Sequence, residues 1–439
     1  MFDLEARNNK IRENGKLTRQ KRANQTCKTF KFKIDKSHLR KDQIEWLKMS
    51  MVEAKWIYNY MLANNGTDTD YKTLTTVTHK DKDKNDIVSE IKHLGTSVRS
   101  VRQELIQQIR NQIKGLSELK KKGHDVGKLR FKSEFRSLKF KQYNNTHFIR
   151  GHRIKLQGCK RLFYVTGLKQ LEKYDNIDYT TANLIYNGYD YFICLTCFID
   201  KKDKLSQAKK DKLNIVGIDL GVTDNITLSN GDKINSYVEE TERMKRLQRK
   251  LSRQVKRSNN WYKTKSLINK EYAHICNKKA DISNKLVSKL RKEYDLIVTQ
   301  DDNISEWKEQ YHKDKNTTIH HSILGRVKSN IAKYNDCIML EKWFPTTQLC
   351  TKCGHKTPMP TDKRIFVCDN CGYTDDRDVH AANNMIWFAL TYMRLKNIKD
   401  TEGTFDTSKL VTNKSAYKIS FKEFCKLFAA EQETITSLV

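Results

Sequence analysis

Two pairs of cysteines carry the strongest chemical signal in this chain. Cys350-x2-Cys353 and Cys368-x2-Cys371 are separated by 14 residues, and a glycine follows each pair (Gly354, Gly372). Glycine lets the backbone turn beneath a bound ion. Four thiolates in two such turns make a closed, tetrahedral Zn2+ site, which is structural and not catalytic. Three carboxylates form a second group. Asp219 ends the apolar run IVGID, Asp302 stands in Gln300-Asp301-Asp302-Asn303, and Asp378 stands in Asp375-Asp376-Arg377-Asp378. An acid within a buried strand is costly unless a cation or donors satisfy it, and carboxylate oxygens suit Mg2+. Each acid also has an ordinary reading: Asp219 ends a strand and caps a turn, and Asp378 sits where a helix N-cap belongs. Cys194-x2-Cys197 is a single pair inside an apolar strand and reads as core cysteines, not a redox motif.

Strands and a helix must position these acids. Residues 215–219 form a short apolar strand, and alternation around Asn230-Gly231-Asp232 predicts a following hairpin. Leu296, Ile297 and Val298 predict another buried strand. Side chains alternate along a strand, so Gln300 and Asp302 share one face and Asp301 points to the other. Asp302 is then the acid that can face the same pocket as Asp219. A helix follows Asp378 to about Leu395, with Ile386, Ala389, Leu390 and Met393 on its buried side.

The chain has 439 residues and a formal charge of +32. That length suggests two to four domains, and that charge implies a polyanionic partner, nucleic acid first. With only three prolines and 10% aromatic residues the chain is not a disordered linker. It lacks an apolar run long enough for a membrane span and an apolar N-terminal signal, so no membrane partner and a cytoplasmic location with reduced cysteines are expected. Residues 1–27 read as a basic flexible arm and residues 28–35 as a strand. From Asp42 the apolar residues recur at helical steps. Residues 66–85 read as a loop, and a second helical block spans about 86–121. Residues 127–200 become β-rich, as a small sheet or barrel. Over residues 101–170 there are 18 Lys/Arg against 4 Asp/Glu. There Arg130-Phe131-Lys132, Arg136, Lys139 and Phe140-Lys141-Gln142-Tyr143 interleave charge with rings, as a phosphate-tracking, base-stacking surface does. Residues 201–212 are a charged linker marking a boundary. The tail, 401–439, carries five Lys and five Asp/Glu and packs or interacts differently.

The constellation resembles the split RuvC nuclease domain, and most closely transposon-encoded TnpB and the compact type V CRISPR effectors. GIDLG at 217–221 resembles the first RuvC motif. WFPTTQLCTKCG at 343–354 and FVCDNCGYTDDRDVHAANNM at 366–385 resemble the ribbon and third motif. GKLRFKS at 127–133 and the basic helix ERMKRLQRKLSRQVKRSNNWYKTK at 242–265 also fit the family style. The resemblance covers about residues 28–395.

It implies a multidomain α+β protein. An RNase H-like (RuvC) core spans 206–345 and 375–398 with a zinc ribbon inserted at 346–374. Ahead of it lies a β-barrel wedge domain (28–41 and 127–205) with an inserted helical recognition domain (42–126), and 399–439 is a tail. The implied activity is RNA-guided cleavage of DNA, single- and double-stranded, with a guide RNA and a short flanking DNA motif. Two Mg2+ held by Asp219, Asp302 and Asp378 would serve the chemistry, and one structural Zn2+ the ribbon. Both monomers and homodimers occur among compact relatives.

In the second motif many relatives carry Glu-Asp-Leu-Asn, which aligns Gln300 with the acid. Others resemble Gln-Asp-Glu-Asn, which aligns Asp302, and Asp302 is the choice here. His380 stands where the third motif usually has Asn. These departures make a guided DNA-binding protein with weakened or lost cleavage the alternative. An unguided repair nuclease is disfavoured by the extensive basic region ahead of the core.

Overall fold

In a computed structural model, residues 4–64, 70–80, 85–200, 213–310, 313–360, 362–396 and 415–436 are described. The chain forms two compact units, residues 1–204 and 205–439, which divide within the charged stretch 201–212. That linker, and residues 399–414 and 437–439 of the expected tail at 399–439, lie outside the described residues. No described helix is long and apolar enough to cross a membrane.

The first unit is built on a seven-stranded antiparallel sheet. Its order is Ser137–Phe140, Ile177–Tyr186, Tyr191–Asp200, Gln25–Ile34, Phe163–Thr166, Arg153–Leu156 and His147–Arg150. The two outermost strands are sequence neighbours joined only through residues 141–146, so the sheet must curl until its edges approach. Thr146 ties that corner, accepting from the Gln142 amide and donating to its carbonyl.

Helices Lys41–Ala63 and Arg99–Lys121 share one hydrophobic core with the sheet: Phe32, Phe140 and Phe163 lie in the same cluster as Leu47, Ile57 and Val101. Glu53, buried in the first helix, accepts three consecutive backbone amides, Lys92 to Leu94. The fully buried Arg102 donates to the carbonyls of Leu94, Tyr71 and Leu74.

Two expectations are corrected. Residues 4–23, read as a flexible arm, form a helix (Leu4–Ala23). Its end is held where Lys21 and Arg22 pair with Asp178 and Arg22 stacks over Phe198. The second helical block starts later than its apolar spacing suggested. Asp86–Glu90 pairs with Thr76–Lys80 as a hairpin, and the helix begins at Arg99. Alternating β-branched residues in TVTHK and DIVSE favour pairing over a helix.

The second unit holds a six-stranded mixed sheet. Lys233–Ile234, Ile226–Leu228 and Ile215–Leu220 form an antiparallel meander. Leu296–Gln300, Cys337–Leu340 and Tyr417–Ile419 continue it in parallel. Period-two alternation splits the strand residues between two cores. Val216, Ile218, Leu220, Ile297 and Met339 face helices Asn259–Glu293 and Leu324–Ile331. Leu296, Val298, Ile338 and Leu340 face helices Arg377–Leu395 and Phe421–Thr436.

Candidate active site and metal centre

Gly217 and Asp219 lie on the same face of their strand, two residues apart. A Cβ on Gly217 would stand 1.9 Å from the Ala382 carbonyl oxygen, so only glycine lets helix Arg377–Leu395 cross this close. That contact lays the first turn of the helix, with Asp378, over the end of the strand carrying Asp219. Asp378 is not the N-cap its position suggested. Asp376 caps the helix, accepting from the amides of Asp378 at 3.0 Å and Val379 at 3.2 Å. Asp378 is thereby free to face the cleft. Lys233 pairs with the capping Asp376 at 3.0 Å.

The third acid arrives from Leu296–Gln300. Alternation persists past the end of this strand. Asp301 turns to the far face, where Lys328 and Lys418 bind it at 2.7 and 2.6 Å, while Gln300 and Asp302 face the cleft. Asp219, Asp302 and Asp378 therefore line one cleft of about 480 Å3, with Arg364, Arg377 and Lys342 on its walls.

The three acids are half-buried. Burial, reinforced by the charges of Asp378 and Asp302, pushes the Asp219 carboxyl up to about 7, against the pull of Arg377. Burial also pushes Asp302 up to about 6, with Lys328 and Lys342 opposing and Asp301 adding. Asp378 is raised by burial despite Arg364 and Arg377. Carboxylate oxygens so placed are donors that could hold a divalent cation. The carboxylates do not all lie within 4.8 Å of one another, whereas the cysteine ligand atoms do.

Gln300 is buried and spoken for. Its amide donates to the Phe344 carbonyl at 3.0 Å and its oxygen accepts from the Thr346 hydroxyl at 3.0 Å. Sequence reasoning missed Arg364, which donates to the Thr223 hydroxyl at 2.7 Å and lies 3.8 Å from Asp378. Its only signal was a cation just ahead of the apolar IFV strand.

The four cysteines converge as their spacing required. Cys350 and Cys371 sulfurs lie 3.6 Å apart, and those of Cys353 and Cys368 3.5 Å. A disulfide needs about 2.05 Å, whereas Zn–S bonds of about 2.3 Å in a tetrahedron put sulfurs near 3.8 Å apart. Gly354 and Gly372 adopt φ of 75° and 68° and donate back to the Cys350 and Cys368 carbonyls. The cluster can hold one zinc ion. His380, the departure from the third motif, is buried against the ribbon. It stacks on Phe366 with ring centroids 3.9 Å apart, and its Nε2 lies 2.9 Å from the Leu349 carbonyl.

The five basic residues of the first unit do not form one free row. Lys139 and Lys141 both pair with Glu104, and Arg136 pairs with Glu134. Lys132 lies over the rings of Tyr58 and Phe135, where burial lowers its pKa. Arg130 is exposed beside Phe131, itself 64% exposed.

The chain is thus a multidomain α+β protein with a four-cysteine cluster and a carboxylate-lined cleft in its second unit. Residues 197–309 match the family model "OrfB_IS605: Probable transposase", and residues 320–385 match "Cas12f1-like, TNB domain". In these two segments the chain is similar to the family of TnpB and the compact type V effectors. A "Putative RNA-guided DNA endonuclease" of Streptomyces pristinaespiralis is 29% identical over 203 residues, 45% of this chain and 49% of that protein. The "Putative RNA-guided DNA endonuclease InsQ" of Escherichia coli strain K12 is 28% identical over 218 residues, 43% of this chain and 52% of that protein. The chain thus spans about half the length of the curated relatives it matches. A chain of a solved Cas12f1–sgRNA–target DNA complex aligns over 82% of this chain and 99% of its own, at a TM-score of 0.39 and 10% identity.

Proposed function

We propose that this protein is an RNA-guided DNA endonuclease whose single RuvC-type site cuts target DNA by two-metal hydrolysis. One observation carries the reading: three acids from three distant segments line one cleft, and the charges of Asp302 and Asp378 oppose the ionisation of Asp219. A site built against its own ionisation is explained by cations it is meant to receive. All its donors are carboxylate oxygens, which suit Mg2+ or Mn2+. When bound, the ions supply an activated water and stabilise the leaving oxygen. Asp219, Asp302 and Asp378 hold them, Arg364 steadies Asp378 from the ribbon, and Arg377 offsets part of the negative charge. The +32 chain supplies the field for a guide RNA and its DNA target, and a short flanking DNA motif completes recognition.

The domain scheme is part of the proposal: a wedge (28–41, 127–205), a helical recognition insert (42–126), a RuvC core (206–345, 375–398) and a zinc ribbon (346–374). The test is to purify the protein with its copurifying RNA, sequence that RNA, and offer matching DNA. Cleavage only with Mg2+ or Mn2+, abolished by Asp219→Ala, is expected. DNA that is bound in a guide-dependent way yet stays intact with either ion would make this a guided binder instead.

A further inference from the structure

The segment that carries Asp302 is held from behind by the last strand of the six-stranded sheet. Tyr417–Ile419 adds a parallel strand beyond Cys337–Leu340, pairing Met339 with Lys418 and Leu340 with Ile419. Tyr417 and Ile419 enter the core under helix Arg377–Leu395. Alternation therefore sends Lys418 to the opposite face of the sheet, the face to which Asp301 turns. There Lys418 Nζ meets Asp301 Oδ2 at 2.6 Å and Lys328 Nζ meets Oδ1 at 2.7 Å. Lys328 also donates to the Asp302 carbonyl. Both oxygens of Asp301 are thus engaged, and the backbone of Asp302 is tied on the same side.

The rest of the segment braces the neighbouring wall. The Glu341 carboxylate accepts the Phe421 amide at 2.9 Å, at the start of helix Phe421–Thr436. Phe421 and Phe424 pack edge-on against Phe344 at 5.1 and 5.3 Å. The Phe344 carbonyl in turn fixes Gln300.

We propose that Lys418, delivered by this added strand, and Lys328 are positioning residues: by clamping Asp301 and the Asp302 backbone they aim the Asp302 carboxylate at the divalent ion. The inference rests on the reading of Asp302 as a metal ligand. It gives the segment from 415 to 436, which composition alone left without a role, a direct effect on metal affinity.

The test is Mn2+ titration of the full-length protein, following the loss of the free-ion EPR signal, with unfolding midpoints measured in parallel. Partners that orient a metal ligand commonly change affinity about tenfold or more, and an exposed ion pair contributes less. Lys328→Met should raise the half-saturating Mn2+ concentration about tenfold. Lys418→Met should raise it about threefold, with unfolding midpoints near the parent's, and Lys418→Arg should restore it. If Asp302→Asn binds Mn2+ as the parent does, the ligand reading falls and the inference with it. If Asp302→Asn loses Mn2+ while Lys328→Met and Lys418→Met bind it normally, only the clamp is overturned. A lowered midpoint in those variants with parental Mn2+ binding would reduce the segment to a cover over the core, which also overturns it.

Discussion

Gly217 and Ala382 touch so closely that the separation of strand and helix is set by the absence of a single methyl group. The Ala382 carbonyl oxygen occupies the place a Cβ would take, at 1.9 Å. Asp219 lies two residues along the strand and Asp378 one turn back along the helix. The distance between two candidate ligands is therefore a packing distance between two backbones.

Gly217→Ala should act on the site through this contact. The helix cannot yield locally, because Ala381, Ala382, Met385 and Ala389 are all buried. Overpacking costs about 1–3 kcal/mol, and a displacement near 1 Å can cost about 100-fold in rate. We expect a lower unfolding midpoint together with a cleavage loss of that order that saturating Mg2+ does not restore. Parental stability and rate would show that strand and helix can separate without cost.

The pH dependence of the magnesium-free protein has a definite sign. Asp219 and Asp302 have native pKa values raised to about 7 and about 6 from an ordinary 3.8. Between the ordinary and raised values the native state holds more protons than the unfolded chain, so stability falls as pH rises through roughly 4 to 7. In zinc-loaded, magnesium-free protein the unfolding midpoint of the second unit should drop from pH 5 to pH 8, and added Mg2+ should oppose the drop. Asp219→Asn should raise the midpoint at pH 8 by about 2–4 °C per kcal/mol of relieved repulsion and abolish the Mg2+ response. A variant less stable than the parent at pH 8 would contradict this account.

Gln300 should be unable to take over from Asp302. Its amide donates to the Phe344 carbonyl, so a glutamate there would set a carboxylate against a carbonyl oxygen. Asp302→Ala should reduce cleavage by at least about 100-fold, the loss expected when a transition-state electrostatic contact is removed. Adding Gln300→Glu to that variant should leave it inactive. Recovered cleavage in the double variant would mean that the second motif reads from position 300.

The ribbon should fail as a folding unit, not as a chemical group. Cys368→Ser removes one of four converging sulfurs. We expect zinc content, measured by atomic absorption, to fall together with the protease resistance of residues 346–374, because structural zinc supplies folding free energy. Cleavage should follow indirectly, since Phe366 stacks on His380 in the helix carrying Asp378. A zinc-free variant of parental resistance and rate would refute this.

Arg364 offers a narrower test. It reaches from the ribbon to Thr223 and toward Asp378. Arg364→Ala should lower the saturated cleavage rate by about ten- to 100-fold, as the loss of a partner that orients a metal ligand does, while zinc content stays at one ion per chain. An unchanged rate would make Arg364 a surface residue.

What the sequence determined by itself is local. Cysteines separated by two residues and followed by a glycine can make little other than a knuckle, and a strand's alternation already sorted Gln300 and Asp302 from Asp301. These properties follow from covalent spacing and backbone period, which neighbouring residues alone define. The tertiary structure decided everything that depends on segments meeting. It chose Asp376 over Asp378 as the helix cap, locked Gln300 onto Phe344, paired Lys139 and Lys141 with Glu104, and turned residues 4–23 into a helix. It also brought Lys418 to Asp301 across 117 residues. Those choices rest on register and on which faces bury together, and a side chain's charge does not announce in advance which partner will reach it.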